Sequence, residues 1–552
     1  MIPRTSNRPR RRLFATDRAL ARAVFFFFLA LYTLVATGLP DHMDSEVEYQ
    51  TTSALGRGRG FALGGTPESD ALVAARAAAP SEPRVPLKVG RGGTYSWFGT
   101  GQALVGVPFY WMGKGVARLA PGVEARFAQR TLEGVTRSEY FGHLFVGLRN
   151  PLLGALCCWL VVLIALQLGL AQRWALVAGL GYGLTTFACA QARSTLSDVQ
   201  ATCALLAAMH LLLLLRARVD SGRRARPEHA AFAGALLGVA FLTRLVTAPA
   251  IAVLIGVAVV LLVRDQRRAL WWFLGTAVAG LFAFLYFNWM RFGALLESGY
   301  GDVVTPGGFW LYPPELGLAG LLFSPSKGLL FLAPLAVLAP FAWRASEPGL
   351  RRLFLVATLL LTLAVFGPIV ATETWHGAWT YGPRYVLPAL PFLWLAAMLF
   401  AERIGAALWG RLLVGALLLF GFLVNLPGML VDHMTGQDLA MQGARLDWPD
   451  VPGSDDARFQ MIQWEPRYAA PWTHWRIFRH RIAGLGEVFS PAELFFSSHA
   501  AELRPNPEMR SGFRHLAWVD LESLGGVTWP LALFLGVCVA LGWRSALQAS
   551  SR

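Results

Sequence analysis

Four acidic side chains follow the first apolar stretch of this chain. They are Asp41, Asp44, Glu46 and Glu48, directly after the stretch from Ala23 to Leu39. A carboxylate beside a bilayer is costly unless it faces water, a cation or a substrate. Carboxylates are also common general bases. The sequence therefore predicts chemistry at the mouth of the first membrane helix, on the side away from the Arg-rich N-terminus.

Further polar and aromatic side chains lie at the ends of later apolar stretches. They are Arg193, Asp198, Arg244, Glu297, Tyr300, Asp302, Lys327, Trp375, His376, Trp379, Arg384 and Tyr385. Under the topology given below, all of them map to the outer face. Structural ion pairs would be scattered over both faces, so this distribution predicts an outward-facing site at the depth of the lipid headgroups.

Apolar stretches long enough to span a bilayer recur along the chain. They lie near 20–39, 146–170, 174–192, 197–215, 231–243, 246–263, 270–290, 327–343, 352–371, 384–401, 407–430 and 526–543. The piece 101–119 is interrupted by Pro108 and Lys114, which favours a helix lying in the interface. That choice puts the short Arg-bearing loops on the side of the N-terminus, as the positive-inside rule requires.

The predicted fold is an all-α polytopic membrane protein with about 12 transmembrane helices and both termini in the cytoplasm. Residues 1–430 form a transmembrane module with a first outer loop at 40–145. Residues 431–525 form a further extracytoplasmic region, and 526–552 hold the last transmembrane helix and a cytoplasmic tail. The predicted location is the bacterial inner membrane, with the active face outside.

The composition excludes several other classes. Hydrophobic residues make up 55% of the 552 residues, so the main solvent of the fold is lipid. The net charge of +15 comes from arginines in short loops between apolar stretches, which argues against a nucleic-acid groove. All five cysteines lie in apolar stretches without metal-ligand spacing, so neither a disulfide framework nor a zinc site is predicted.

The polar and aromatic side chains predicted on the outer face suit the transfer of a sugar from a lipid phosphate to a hydroxyl or amine. A carboxylate would act as general base for the acceptor. Arg or Lys would take up the charge of the departing phosphate. Direct displacement would invert the anomeric centre.

Several motifs, in order over residues 20 to about 430, resemble the GT-C superfamily of membrane glycosyltransferases. The similarity is to bacterial relatives of protein O-mannosyltransferases and of the lipid A aminoarabinose transferase. The motifs are the acidic stretch from Asp44 to Tyr49, YSWFGTGQALVGVPFY (95–110), the turn holding Arg193 and Asp198, FGALLESGY (292–300), GLLFSPSKGLLFLAPL (320–335) and WHGAWTYGPRYVLPALPF (375–392).

The resemblance implies a polyprenyl-phosphate-linked sugar as donor and a lipid, glycan or protein as acceptor. The implied catalytic residues are Asp44, Glu46 and Asp198, with Arg384, Lys327 and Arg193 on the donor phosphate and Tyr49, Tyr300, Trp375 and His376 at the sugar or acceptor. Family members often have Asp and Glu adjacent, whereas Ser45 separates them here. Both Asp44 and Glu46 therefore stay candidates for the base, with Asp44 favoured. No cofactor is required, although the carboxylates leave room for a divalent cation.

Other interpretations remain open at this level. Asp44 and Asp198 could cap helices, and Arg384 and Lys327 could anchor helix ends at the interface. A flippase for lipid-linked sugars predicts inverted repeats and ionisable residues at mid-membrane, and the sequence has no evident repeat. A polymerase or ligase of surface glycans would use a diphosphate-linked donor and a site dominated by basic residues.

Overall fold

The chain folds mainly into helices, joined by two short β-hairpins. The computed structural model describes residues 15–40, 42–78, 85–132, 135–264, 266–300, 310–346, 349–451, 455–482 and 516–550. Asp41 and Asp302, both named above, lie outside the described residues, as does the segment 483–515 of the predicted region 431–525.

The helices and strands have the following bounds: α1 Ala15–Leu34, α2 Met43–Gly56, α3 Pro67–Ala78, β1 Leu87–Gly90, β2 Gly93–Ser96, α4 Gly101–Leu119, α5 Pro121–Ala128, β3 Thr131–Leu132, β4 Val135–Thr136, α6 Tyr140–Gly147, α7 Arg149–Gln167, α8 Gln172–Thr185, α9 Ala188–Arg193, α10 Asp198–Asp220, α11 Pro227–Thr243, α12 Ala248–Leu262, α13 Arg267–Phe292, α14 Pro314–Phe323, α15 Leu329–Leu332, α16 Leu350–Val370, α17 Leu390–Ile404, α18 Leu408–Leu430, α19 His433–Asp447, α20 Asp455–Trp464, α21 Ala470–Ile482, α22 Ala517–Ser523 and α23 Trp529–Ser550. Three 3₁₀ segments, 245–247, 334–345 and 384–386, complete the described secondary structure.

Seven helical segments in the described part of the chain are long and apolar enough to cross a membrane. They are Tyr140–Gln167, Asp198–Asp220, Leu245–Leu262, Arg267–Phe292, Leu350–Val370, Leu408–Leu430 and Trp529–Ser550. The helix α1 is not among them because each window of membrane-spanning length includes Asp17, Arg18 and Arg22. The chain is therefore a multi-pass membrane protein. Of the twelve predicted spans, 231–243 belongs to the shorter helix α11, and 327–343 forms only the short helix α15 and part of a 3₁₀ segment.

The first and last helices pack side by side in opposite directions. Near the start of α1, Arg22 donates to Gln548 close to the end of α23 at 3.1 Å. At the other end of α1, the Trp518 indole donates to the Thr33 carbonyl at 2.7 Å. The start of α1 and the end of α23 thus lie side by side, opposite to the segment that follows α1.

Small residues allow close approach between other membrane helices. A methyl group built on Gly280 of α13 would lie 2.3 Å from the α-carbon of Gly238 in α11. Only a residue without a side chain fits there, and such contacts are typical of helix pairs in membranes. This packing fixes the end of α11, from which Arg244 projects.

The segment between α1 and α6 contains the first acidic run, in α2, and the elements that pack around it. The helix α4 has the bounds expected for the interfacial helix, and its Tyr110 and Gly113 pack against α2 and α6. Its opposite face exposes Trp111 and Leu119. The same segment contains the antiparallel pairs β1–β2 and β3–β4, which the all-α prediction omits.

The helices α19, α20 and α21 form a small unit that we call the outer cap (residues 431–482). Its own apolar core includes Leu439, Phe459 and Ile477, all buried. It packs on the loop 371–383, where Trp379 stacks on Phe459 with ring planes 11° apart. The outer cap therefore helps to position one wall of the site described next.

Candidate active site

Asp44 occupies the first turn of α2, where the chain has just left α1. His42 precedes the helix in an extended conformation, and its Nδ1 accepts a hydrogen bond from the Asp44 backbone amide at 3.1 Å. The Asp44 Oδ2 accepts from an Arg384 Nη at 2.9 Å, while the side chain keeps 24% exposure. Burial disfavours the charged carboxylate, but His42 and then Arg384 outweigh it and lower the Asp44 pKa. Asp44 is thus an ionised carboxylate with an open side.

A second acid–base pair joins α10 to the end of α11. The Asp198 Oδ1 accepts from Arg244 Nη1 at 2.6 Å, and the Asp198 carboxylate is fully buried. The turn before Asp198 is held by Asn150, whose amide donates to the carbonyls of Ser194 and Leu196 at 2.8 and 2.7 Å. Asp198 is therefore the first residue of α10, but among the described residues its carboxylate accepts no hydrogen bond from a helix amide and pairs with Arg244 instead.

The Tyr385 ring connects these two pairs. The guanidinium carbons of Arg244 and Arg384 lie 5.1 and 5.0 Å from its centroid. Arg384 also donates to the Tyr385 hydroxyl at 3.2 Å. We call this arrangement of Asp44–Arg384 and Asp198–Arg244 on Tyr385 the Arg–Asp double pair. It brings together four segments that are far apart in sequence, and it places two planar cations beside one open carboxylate.

Lys327 positions the loop that carries Arg384. Its ammonium donates to the Ala378 carbonyl at 3.0 Å and to the Thr380 carbonyl, and the side chain is fully buried. That loop runs through left-handed conformations at Gly377, Ala378 and Gly382. Burial, and then the Arg384 charge, lowers the pKa of Lys327 well below its usual range. In this state of the molecule, Lys327 binds backbone carbonyls, so a direct role on a phosphate is less well supported than the role of Arg384.

Trp375 and His376 belong to the packing between this loop and the outer cap. Trp375 is fully buried, and its indole donates to the Gln460 side chain at 3.1 Å. His376 is 4% exposed and lies 3.2 Å from the Gln460 amide. Burial, followed by Lys327 and Arg384, lowers the His376 pKa well below its usual range. Neither ring presents a face on which a sugar could stack.

Glu46 and Tyr49 point to a different part of the molecule from Asp44. Glu46 lies 3.4 Å from His143 Nε2 and 4.0 Å from an Arg137 Nη. Burial opposes its ionisation, but His143 and Arg137 lower its pKa to about 2. Tyr49 stacks on His143 at 3.5 Å and donates to Glu139 at 3.0 Å. Helix geometry separates residues two apart by about half a turn, so Glu46 cannot share the Asp44 face.

Arg193 is held at the end of α18. Its Nη1 donates to the carbonyls of Gly428 and Val431 at 3.3 and 2.8 Å. The two residues of the predicted Arg-then-acid turn therefore have different partners. Asp198 pairs with Arg244 in the double pair, whereas Arg193 connects α9 to the start of the outer cap.

Tyr300 lies at the site as expected from the sequence. It stacks on Trp97 with the ring centroids 6.1 Å apart and the planes at 26°. Burial raises its pKa, Arg244 opposes that shift, and Asp44 adds to it, which shows that both charges act on the phenol. Trp97 and Tyr300 remain partly exposed and form one stacked aromatic pair.

The residue that sequence reasoning leaves without a role is Glu48. It lies one helical turn after Asp44 on the same face of α2 and is 6% exposed. Burial raises its pKa to about 8, against the effect of Arg149 and Arg291. The four-residue spacing from Asp44 is the signal that would have selected Glu48 over Glu46.

The chain matches no protein-family model, and no curated protein matches it. Among solved structures it is similar to ArnT from Cupriavidus metallidurans in the apo state, with 14% identity and a TM-score of 0.45 over 95% of this chain and 75% of that chain. The same protein bound to undecaprenyl phosphate gives 15% identity and a TM-score of 0.44 over 96% and 76%. The archaeal oligosaccharyltransferase AglB from Archaeoglobus fulgidus, in complex with an inhibitory peptide and a dolichol-phosphate, gives 11% and 0.38 over 80% and 59%.

Proposed function

We propose that this chain is an integral membrane glycosyltransferase of the GT-C type. It transfers a sugar from a polyprenyl-phosphate-linked donor to a lipid, glycan or protein acceptor, on the outer face of a bacterial inner membrane. The observation that carries this proposal is the Arg–Asp double pair: two guanidiniums on one phenol ring, beside a partly exposed and ionised Asp44.

The two arginines are suited to a lipid phosphate. Guanidinium groups bind phosphate oxygens through parallel hydrogen bonds and keep their charge at any working pH. The Arg384 Nε is buried and has no hydrogen-bond partner among the described residues, so one of its donors is unused. Arg244 and Arg384 would hold the phosphate, while Lys327 keeps the Arg384 loop in place.

Asp44 then acts on the acceptor. As the acceptor oxygen or nitrogen attacks the anomeric carbon, its proton passes to Asp44. The bond between that carbon and the phosphate oxygen breaks, and polyprenyl phosphate leaves with the electron pair. Attack from the face opposite the phosphate inverts the anomeric centre, in contrast to the covalent route of retaining glycosidases. Trp97 and Tyr300 would contact the apolar face of the sugar.

This displacement uses no resident cofactor, because phosphate is already a good leaving group. Within the described residues, no three His, Cys, Asp or Glu side chains converge on a metal site. A divalent cation bridging Asp44 and the phosphate is the alternative. Full transfer in the presence of a chelator supports the cation-free route, and activity restored only by added Mg²⁺ or Mn²⁺ supports the alternative.

Sugar transfer in proteoliposomes tests the proposal. The purified chain is given a panel of radiolabelled polyprenyl-phosphate sugars, and wild type is compared with Asp44→Asn and with Asp455→Asn, a control for an exposed ion pair with Arg445. We expect one donor to turn over, with transfer reduced about 10²–10⁴-fold in Asp44→Asn alone.

Two other outcomes would contradict the proposal. Lipid-linked sugar that changes leaflet without being transferred would indicate a flippase. Turnover restricted to diphosphate-linked donors, and unaffected by Asp44→Asn, would indicate a glycan polymerase or ligase.

A further inference from the structure

A small cavity lies behind α2, between Glu48 on one side and Tyr49 and His143 on the other. Its internal volume is about 10 Å³, which is room for about one water molecule. Its lining includes Ser45 and Glu48 of α2, Gln102 of α4, Arg149 of α7 and Thr195 from the turn before α10. The cavity therefore touches the elements that position both acids of the double pair.

Three side-chain atoms on this cavity have no hydrogen-bond partner in the described part of the chain. They are Ser45 Oγ, Gln102 Oε1 and Thr195 Oγ1, and all three side chains are at least nine-tenths buried. Leaving a buried polar atom unpaired costs free energy, so such atoms normally bind ordered water. A water molecule needs two to four polar partners, and this group supplies them. The cavity has the chemistry of a water site.

Glu48 contributes the ionisable group of this cavity. Its carboxyl forms no ion pair within 4.0 Å among the described residues. The charges that act on it are those of Arg149, Arg291, Asp44 and Arg244. Burial is the largest effect, and it keeps the carboxyl protonated at neutral pH.

The protonation state of Glu48 changes the net positive charge around the proposed phosphate site. Arg244 and Arg384 are each balanced by an aspartate. Arg149 and Arg291 donate instead to backbone carbonyls, Arg149 to those of Gln102 and Thr195 and Arg291 to those of Ser96 and Phe98. Among the described residues, no acidic side chain lies within 4.0 Å of either guanidinium, and an ionised Glu48 would be the first acid to offset their charge. A phosphodiester carries one negative charge, and the released phosphate monoester approaches two.

We propose that Glu48 is a positioning residue that acts as a neutral acid: it donates a hydrogen bond to water in this cavity, and its ionisation weakens the binding of a lipid phosphate at Arg244 and Arg384. The inference rests on the proposed function only in placing the phosphate at these arginines.

The direction of the pH effect follows from the raised pKa. Below about 8, Glu48 is protonated and phosphate binding is strongest. Above that pH, Glu48 adds a negative charge one helical turn from Asp44, and binding weakens. Asp44 is already ionised over this range. Burial lowers the pKa of Arg149 and of Arg291 only to about 10, so both remain charged at pH about 8, where Glu48 titrates. His143 and Tyr49 also face the cavity; they lie on the side of Glu46 and Glu139.

Binding of undecaprenyl phosphate to the full chain in nanodiscs tests this inference between pH about 7 and about 9.5. We expect the wild-type affinity to fall about tenfold across this range, because a new charge repels the phosphate over a short distance. Glu48→Gln should bind with nearly constant affinity. Glu46→Gln is the matched control on the same helix and should keep the alkaline loss. Ionisation of the phosphate itself is shared by all three proteins, so the difference between them isolates Glu48.

Infrared spectroscopy gives a readout that does not depend on binding or transfer. Wild type at pH about 7 should show the carbonyl stretch of a protonated carboxyl, which fades near pH 8 and is absent from Glu48→Gln. If Glu48→Gln does not fold, the wild-type band and the Glu48→Asp variant, with a shifted alkaline midpoint, still test the assignment.

The outcomes separate this inference from the proposed function. An alkaline loss of affinity that persists in Glu48→Gln, or the absence of the protonated carboxyl band, overturns the role of Glu48 whether or not sugar is transferred. Loss of the alkaline effect in Glu48→Gln, in a chain that transfers no sugar, upholds Glu48 as part of a lipid-phosphate site and contradicts only the glycosyltransferase.

Discussion

Two carboxylate networks flank α2, and they differ in how completely they are satisfied. Around Glu139, five side chains donate to one carboxylate at 2.9 to 3.1 Å: Arg57, Lys114, Tyr110, Tyr49 and Ser53. In the Arg–Asp double pair, by contrast, Asp198 Oδ2 and Arg384 Nε are buried without a partner among the described residues.

This difference separates a structural network from a functional one. Glu139 has a left-handed backbone with φ of 61°, a strained conformation that its five donors hold in place. It joins α2, α4 and the start of α6. The double pair keeps unused donors and acceptors and an open carboxylate, which is what a site needs if a ligand is to complete it. The Glu139 network, in which five donors surround the carboxylate, stabilises the scaffold. The double pair, which has unpaired buried atoms, is the candidate site for chemistry.

After Asp44→Asn, the largest effect is expected from Arg384→Lys in the double pair. The ammonium keeps the charge but loses the planar fork and the contact with Tyr385. We expect kcat/KM for the lipid-linked donor to fall about 10²-fold, since removal of one preorganised donor to a developing charge costs about that much. Steady-state transfer assays measure it, and Arg445→Lys in the exposed pair with Asp455 is the control. An unchanged rate would remove Arg384 from the phosphate site.

A smaller loss is expected for Arg244→Lys. Arg244 is farther from the open carboxylate Asp44 and is paired with the buried Asp198, so its main contribution is to bind the donor. We expect KM for the donor to rise about tenfold with little change in kcat, as expected when one bidentate contact is weakened. A fall in kcat alone would instead assign Arg244 to the transition state.

Glu139→Gln tests the structural network. A folded-state pKa of about 2, set by Arg57 and Lys114 against burial, means that the ionised carboxylate stabilises the folded chain. The stabilisation is on the order of 2–3 kcal/mol, is fully present above pH about 4.5 and is lost as the pH falls toward 2. We expect the variant to unfold at a lower temperature in detergent at pH 7, with the difference from wild type shrinking in acid. A gap that grows in acid would contradict this account.

The smallest effect is expected at the outer cap. Gln460→Leu removes the hydrogen bonds to Trp375 and His376, so the loop carrying Arg384 is held less firmly. We expect a loss of transfer of about threefold, consistent with two hydrogen bonds of modest net value. Gln442→Leu, which breaks a bond to Asp438 within the cap, is the matched control. Equal losses in both variants would mean that the cap acts only on overall stability.

Much of the site was readable from the sequence because it depends on local order. Asp44 follows the first apolar stretch, and Asp198, Arg384 and Tyr300 stand at helix mouths, where the structure also has them. The choice of Asp44 over Glu46 as base stays a prediction, and the contrast between an open and a closed carboxylate supports it. The roles of Trp375 and His376 as sugar contacts are not supported, because the packing of the outer cap buries both rings, which no sequence pattern reveals.

The sequence by itself determined that this is a membrane protein and that its polar residues gather at helix ends. Apolar length and charge placement are one-dimensional properties, and the bilayer converts them directly into structure. Only the tertiary structure decided which cation meets which acid: Arg244 rather than Arg193 pairs with Asp198, and Arg384 rather than Lys327 pairs with Asp44. These pairings depend on the rotation of α2 and on the close approach of α9, α10 and α11, which the packing of distant side chains sets.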